Sequence, residues 1–267
     1  MLGALAGADA TVARRRFERE AQATASLNSP HSIRLFDFGV TEDGRLYLVM
    51  ELLEGTNLDQ LVRQEGPLPA ARVAHILRQA CESLEEAHDA GLVHRDIKPA
   101  NIHLGRVGRE HDFVKLHDFG LVKSVAATDG GDSLASVAGL VLGTPAFMAP
   151  EMVHGGSVDG RADLYSLGCV GYFLLTGHLV FEGETAIQTV LLHVQQEPVP
   201  LSQRTAKPVP PDLERLVLAC LAKNPGDRPQ SAAELGTALA RFDSERRSVG
   251  AAIGNGGGPG PSPVRGP

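Results

Sequence analysis

The sequence has no long basic run, and its formal net charge is −7, with acids and bases interspersed. Nucleic acid is therefore not expected as a main partner. Its three cysteines, Cys81, Cys169 and Cys220, match no zinc-ligand or CxxC spacing. Each lies in an apolar helical stretch, which points to buried reduced thiols and a reducing, cytoplasmic setting. No basic region opens the chain, so no signal peptide is expected. The most apolar segment, Leu164 to Leu175, is too short to span a bilayer. There are no internal repeats, and no lysine occurs before Lys98.

What is present is enough for a substantial core: 267 residues, 43% of them hydrophobic, a length at which folding hides roughly three quarters of the unfolded surface. Residues 12–27 read as a helix with a charged face and Phe17, Ala21 and Leu27 on its apolar side. Residues 32–38 and 46–51 are rich in β-formers and flank Thr41-Glu42-Asp43-Gly44, a hairpin signal. Val73, Ile76, Leu77, Ala80, Leu84 and Ala87 recur at helical spacing in 70–90. Residues 101–118 return to short strands with a tip expected at Gly105 to Gly108. Residues 163–176 are apolar nearly all round, the mark of a helix buried on every side. A further amphipathic helix carries Leu213, Leu216, Val217, Cys220 and Leu221, and Ser231-Ala232-Ala233-Glu234 is a capping box opening the last helix, to about Phe242. A few strands followed by many helices predict an α+β fold with a small sheet and a larger helical lobe.

The chemistry concentrates in His94-Arg95-Asp96-Ile97-Lys98-Pro99-Ala100-Asn101, followed by Asp118-Phe119-Gly120 and Ala149-Pro150-Glu151. Taken singly these residues have plainer readings: Asp96 as a turn residue, Asn101 as a loop cap, Asp118 as an Asx turn at a strand end. Taken together and in this order they resemble the catalytic loop, DFG and APE segments of protein kinases. The resemblance covers about residues 12–242 and is that of the bacterial eukaryotic-like (Hanks-type) serine/threonine kinases. It implies a bilobal kinase-like fold, ATP and Mg²⁺ as cofactors, and protein substrates. Phosphoryl transfer has a loose transition state, so such an enzyme mainly positions groups and offsets charge. By the resemblance Asp96 orients the acceptor hydroxyl, Lys98 neutralises the γ-phosphate, and Asn101 and Asp118 supply oxygen ligands to Mg²⁺. Lys98 at its position is typical of serine/threonine kinases.

The same resemblance assigns further roles. Glu20 matches the helix glutamate that pairs with the ATP-binding lysine; the alternative is an exposed charge on a charged helix. Met50 is expected as gatekeeper, with Glu51 and Leu53 offering backbone groups to adenine; the alternative is an ordinary strand end. Thr144, in Gly143-Thr144-Pro145, is expected on the substrate platform, its hydroxyl bonded to Asp96 and Lys98. Asp163 is expected to anchor the catalytic loop's backbone, with His94 and Phe119 stacked above it, and Glu151 with Arg228 to form a buried ion pair. Arg95 implies control by phosphorylation of the loop over 124–142, where Ser133 and Ser136 are the candidates and Thr128 a weaker one; loop composition is the alternative.

The sequence departs from the family in two places. The glycine-rich loop and strand lysine that should precede Glu20 are not present, so the N-terminal β lobe is expected to be incomplete, with three of five strands lost and an apolar sheet face exposed. Little activity is expected from the chain alone, and the rival reading is a catalytically dead kinase-like binding module. His103 falls where the family places an apolar floor under adenine, and His117 faces the same pocket; a histidine there would lower ATP affinity below about pH 6.5. The expected organisation is a kinase domain over 1–244, with 1–52 as partial N-lobe and 53–244 as C-lobe, then a disordered Gly/Pro-rich linker over 245–267. A kinase-domain dimer is kept open, and no membrane segment is expected.

Overall fold

The computed structural model describes residues 8–119, 144–153 and 158–242. Helix α1, Ala8–Ala25, begins earlier and ends sooner than the sequence predicts, and buries Phe17 and Ala21. Strands β1, Leu35–Val40, and β2, Leu46–Met50, form an antiparallel hairpin. Its turn is closed by the Thr41 hydroxyl, which accepts from the Arg45 amide at 3.0 Å, with Gly44 at φ 80°. Phe36, Val49, Met50 and Leu52 stand exposed along this hairpin and just after it, Leu52 at 92%.

A separate three-stranded sheet follows in the order β3, Thr56–Asn57, β4, Ile102–Val107, and β5, Glu110–Leu116. The β4–β5 turn falls at Gly108, φ 59°, at the C-terminal end of the expected tip. Asp112 is an extra residue in β5, between His111 and Phe113, which pair with Arg106 and Gly105. It takes φ 59°, a left-handed conformation costly for a side chain with Cβ. The Arg72 guanidinium clamps its carboxylate at 2.9 and 3.1 Å, and the Gln79 amide donates to its carbonyl at 2.9 Å. A bulge held this way fixes where β5 aims its C-terminal end, and that end carries His117 and Asp118.

The helical part contains α2, Leu58–Glu65, α3, Ala70–Asp89, α4, Gly160–Thr176, α5, Ala186–Gln195, α6, Pro211–Cys220, and α7, over 232–242. Helix α4 is the buried centre predicted from its all-round apolarity. Asp159 caps its start by accepting from the Arg161 amide, and Gly177, at φ 75°, ends it. Two glycines bring its neighbours close. A Cβ at Gly168 would lie 2.6 Å from the Cys220 Cβ of α6, and one at Gly171 would lie 2.9 Å from Leu77 Cδ1 of α3. The three cysteines are buried and free, as expected. The α7 start differs from the expected capping box: the Ser231 hydroxyl accepts from the Glu234 amide, but the Glu234 carboxylate takes the Gln230 amide at 2.7 Å instead of that of Ser231. Among the described residues no helix is long and apolar enough to cross a membrane.

The helix α1 and its hairpin join the helical part through residues 26–34. Glu86 of α3 accepts the Asn28 and Ser29 amides at 2.7 and 2.6 Å, and the Ser32 and Ser83 hydroxyls meet at 2.7 Å. The His31 ring contacts the Val114 carbonyl at 3.0 Å, and the Ile33 amide donates to the Leu116 carbonyl at 2.8 Å.

Candidate active site

The segment His94–Asn101 runs between α3 and β4 and is held from below by α4. Asp163, 1% exposed, sits in the first turn of α4, so its carboxylate aims at this segment. Its Oδ2 accepts the His94 amide at 2.8 Å and its Oδ1 the Arg95 amide at 2.8 Å. His88 Nε2, from the last turn of α3, reaches the same Oδ2 at 2.8 Å. Sequence reasoning missed His88. The close fit of Gly160, where a Cβ would lie 2.5 Å from His88 Nδ1, is what admits the ring. Two anchored amides hold Arg95 at φ 61°, a strained conformation of the kind found at functional sites.

The chemistry-bearing side chains converge above this anchor. Lys98 Nζ lies 2.8 Å from Asp96 Oδ2, and Asn101 Nδ2 donates to the same oxygen at 3.0 Å and to the Asp96 carbonyl at 2.9 Å. The Asn101 amide nitrogen is spent on Asp96, so its Oδ1 is the atom it can offer a ligand. On the facing strand end the His117 amide donates to the Asn101 carbonyl at 3.1 Å. Asp118 follows at φ 62°, with its carboxylate about half exposed and 3.3 Å from His117 Nδ1. The His117 contact, with the Lys98 charge beyond it, holds the Asp118 carboxyl below the usual carboxylate range, against the opposing effect of burial. Asp118 is thus ionised at neutral pH, as a cation ligand must be.

His94 is wholly buried and stacks on Phe119 at 4.6 Å, as expected. Its Nε2 faces the His117 carbonyl at 3.1 Å, and its Nδ1 faces the Asp96 amide at 3.3 Å. A carbonyl needs a donor and an amide needs an acceptor, so the ring is neutral with its proton on Nε2. Burial lowers its pKa to the same effect.

Thr144 lines the same recess as Asp96 and Lys98. Among the described hydrogen bonds none joins its hydroxyl to either, contrary to expectation, and the Lys98 ammonium meets Asp96 itself at 2.8 Å. The turn Pro145–Phe147 is fixed instead from α4, by the Ser166 hydroxyl donating to the Phe147 carbonyl at 2.7 Å. Behind it the Arg228 guanidinium, with no exposure, meets the Glu151 carboxylate at 2.7 and 2.8 Å, the expected buried pair.

Around the cleft, Glu51 follows β2, and its amide is taken by the Arg34 carbonyl at 3.0 Å, which leaves its carbonyl for a ligand. Its side chain pairs with Lys115 at 2.7 Å. Leu53 is partly buried against the core. Among the described hydrogen bonds none uses its backbone groups. Met50 is exposed at the end of β2. His103, in β4 opposite Asn57, has a buried Nε2 without a hydrogen-bond partner. Burial lowers its pKa, so its protonation falls below the pH expected from sequence. Glu20 is half-buried on α1, one turn after Phe17. Gly120, Thr128, Ser133, Ser136, Gly143 and the 245–267 tail lie outside the described residues.

The family profile described as "Protein kinase domain" matches residues 6–238. This chain belongs to the protein kinase domain family. It is 44% identical over 238 residues to the serine/threonine-protein kinase pkn3 of Myxococcus xanthus, covering 89% of this chain and 43% of that protein. It is 42% identical over 229 residues to the serine/threonine-protein kinase PknB of Mycolicibacterium smegmatis, covering 85% of this chain and 35% of that protein. This kinase chain thus spans less than half the length of these curated relatives. Its fold matches the Mycobacterium tuberculosis PknI kinase domain with a TM-score of 0.64 and 27% identity, covering 90% of this chain and 83% of that one. It also matches a Rad53 structure in complex with AMP-PNP, with a TM-score of 0.68 and 27% identity over 85% of this chain and 54% of that one. The small-sheet N-lobe and helical C-lobe of this α+β kinase fold are those the sequence predicts.

Proposed function

We propose that this chain transfers the γ-phosphate of ATP to serine or threonine hydroxyls of proteins. The observation that carries this reading is the knot of Asp96, Lys98 and Asn101 at 2.8–3.0 Å, anchored through Asp163 and faced by Asp118. Asp96, partly exposed, accepts the hydrogen of the acceptor hydroxyl and aims its oxygen in line with the phosphorus. Lys98 follows the transferring phosphoryl as charge develops on it. Asn101 Oδ1 and the ionised Asp118 are hard oxygen donors, the type that fits Mg²⁺. A bound Mg²⁺ would offset the charge of the phosphates.

The adenine would lie against Met50, Glu51, Leu53 and His103, with Glu20 ordering the cleft from α1. Thr144 and the 145–147 turn would carry the acceptor peptide. Arg95 would read a phosphate placed on Ser133 or Ser136. The 1–52 and 53–244 segments would serve as the two lobes. Buried thiols suit a reducing cytoplasm, and the acidic balance favours protein over nucleic acid partners.

The test is transfer of labelled phosphate from ATP, with Mg²⁺, to the chain itself and to a serine-rich acceptor protein. Labelling that disappears in Asp96→Asn carries the proposal. Labelling that survives that change sinks the role given to Asp96, and no labelling with the unaltered chain sinks the proposal and leaves the non-catalytic binding module as the better reading.

A further inference from the structure

We infer that His117 and Asp118 together form a mixed nitrogen–oxygen seat that holds a first-row divalent ion such as Mn²⁺ more tightly than Mg²⁺. The inference rests on reading Asp118 as a cation ligand and concerns the residue beside it.

Neighbouring side chains at a strand end normally point to opposite faces. Here the left-handed turn at Asp118, φ 62°, swings its carboxylate back to the side of the His117 ring. The result is a 3.3 Å separation between His117 Nδ1 and Asp118 Oδ2. Two ligands each about 2.1–2.2 Å from one ion, and 90–110° apart about it, stand about 3.0–3.5 Å from each other. The separation is therefore that of one edge of a coordination shell as well as that of a weak hydrogen bond.

The backbone around the pair is fixed on both sides. The His117 amide is tied to the Asn101 carbonyl at 3.1 Å, and the His117 carbonyl faces His94 Nε2 at 3.1 Å. The ring is part-exposed, at 20%, and the carboxylate 55%, so an ion from solvent can reach both. Asn101 lies at the neighbouring strand end with its Oδ1 available. Imidazole nitrogen adds affinity for first-row ions and little for Mg²⁺, which favours oxygen. The chain thus carries a ligand that biases the choice of ion.

The test uses the full chain and metal alone, without nucleotide. Loss of the free Mn²⁺ electron paramagnetic resonance signal measures binding, Mg²⁺ competition measures preference, and pulsed measurement detects a coordinated nitrogen-14. The expected result is Mn²⁺ held at least about tenfold tighter than Mg²⁺, with nitrogen coupling. In His117→Leu the coupling should vanish and Mn²⁺ affinity fall on the order of tenfold, while Mg²⁺ affinity moves less than about twofold. His117→Gln, which keeps a polar side chain, should lose the coupling as well. Circular dichroism melts confirm that both variants are folded. Absent nitrogen coupling in the unaltered chain, or coupling that persists in both variants, overturns the inference. Binding that needs Asp118 but ignores His117 overturns it and leaves Asp118 as a cation ligand. Binding unchanged in Asp118→Asn overturns both readings.

Discussion

Glu151 and Arg228 are 77 positions apart and meet in a two-pronged ion pair of 2.7 and 2.8 Å, with the guanidinium fully out of solvent. The guanidinium is saturated: it also donates to the carbonyls of Ala222, Arg161 and Lys223 and lies 4.8 Å over the Tyr165 ring. It therefore ties the end of the 144–153 segment to α4 and to the turn after α6. A pair of this kind is weak evidence for net stability, yet removing one partner leaves an uncompensated charge. Glu151→Leu should cost about 3–5 kcal/mol in urea unfolding. The double variant Glu151→Leu, Arg228→Met should cost less than the sum of the two single changes. A Glu151→Leu loss under about 1 kcal/mol would show that water or another group takes up the stranded guanidinium.

Asp163 is the second buried acid with a positional task. Its two oxygens accept two loop amides and meet the His88 ring, all at 2.8 Å. Asp163→Asn keeps the shape but replaces one acceptor oxygen by an NH₂ group, which must face an N–H. About 1–3 kcal/mol of stability should go with that mismatch. Phosphotransfer should fall further than stability does, because Arg95 is free to leave φ 61° and Asp96 moves with it. His88→Ala leaves both amides bonded and should cost less than Asp163→Asn in each measurement. Equal activity for Asp163→Asn and the unaltered chain would disprove the anchoring role.

The contact between α4 and α6 gives a sharper steric test. Alanine in a helix interior is ordinarily about 1 kcal/mol better than glycine. At Gly168 the added Cβ would stand 2.6 Å from the Cys220 Cβ, which no rotamer can relieve. Gly168→Ala should therefore destabilise by about 1–3 kcal/mol. Cys220→Ala on top of it should give no relief, since the offending atom is still present. Relief by Cys220→Ala would mean that the sulfur, and not the backbone approach, sets the helix spacing.

The His94–Asn101 segment, the buried α4 and the Glu151–Arg228 pair were legible because each is written in residue order. Asp163 opens an apolar helix, and Arg228 sits in a short turn motif. His88 was not legible as an anchor, because its role depends on where the last turn of α3 lands against α4, and that is set by Gly160. The Asp112 bulge was hidden for a related reason: its partner Arg72 lies 40 residues away and no local pattern marks the pair. Thr144 shows the opposite failure. It lies in the recess with Asp96 and Lys98, but motif resemblance cannot say that Lys98 meets Asp96 there.

The buried His193 of α5 makes acid stability a direct readout of packing. It is 1% exposed, its Nδ1 lies 2.9 Å from the Tyr165 hydroxyl, its Nε2 has no hydrogen-bond partner, and it packs edge-on to Phe181 at 4.9 Å. Burial first, and the Lys223 charge second, push its pKa down to about 4. Lys223, which donates to the His193 carbonyl at 2.9 Å, is itself lowered by burial. The unfolded chain binds a proton at His193 near pH 6.5, while the folded chain resists it until about pH 4. Stability from this group is therefore full above pH 6.5 and falls as pH drops toward 4. Linkage puts the loss at about 2 kcal/mol between pH 7 and pH 5. His193→Gln removes the titrating group but leaves a polar side chain, so its baseline stability should be lower and its pH slope over that range flatter by about that amount. Urea unfolding of both proteins at pH 7, 6 and 5 measures the difference. Parallel slopes would mean that the ring takes up its proton without leaving its place between Tyr165 and Phe181.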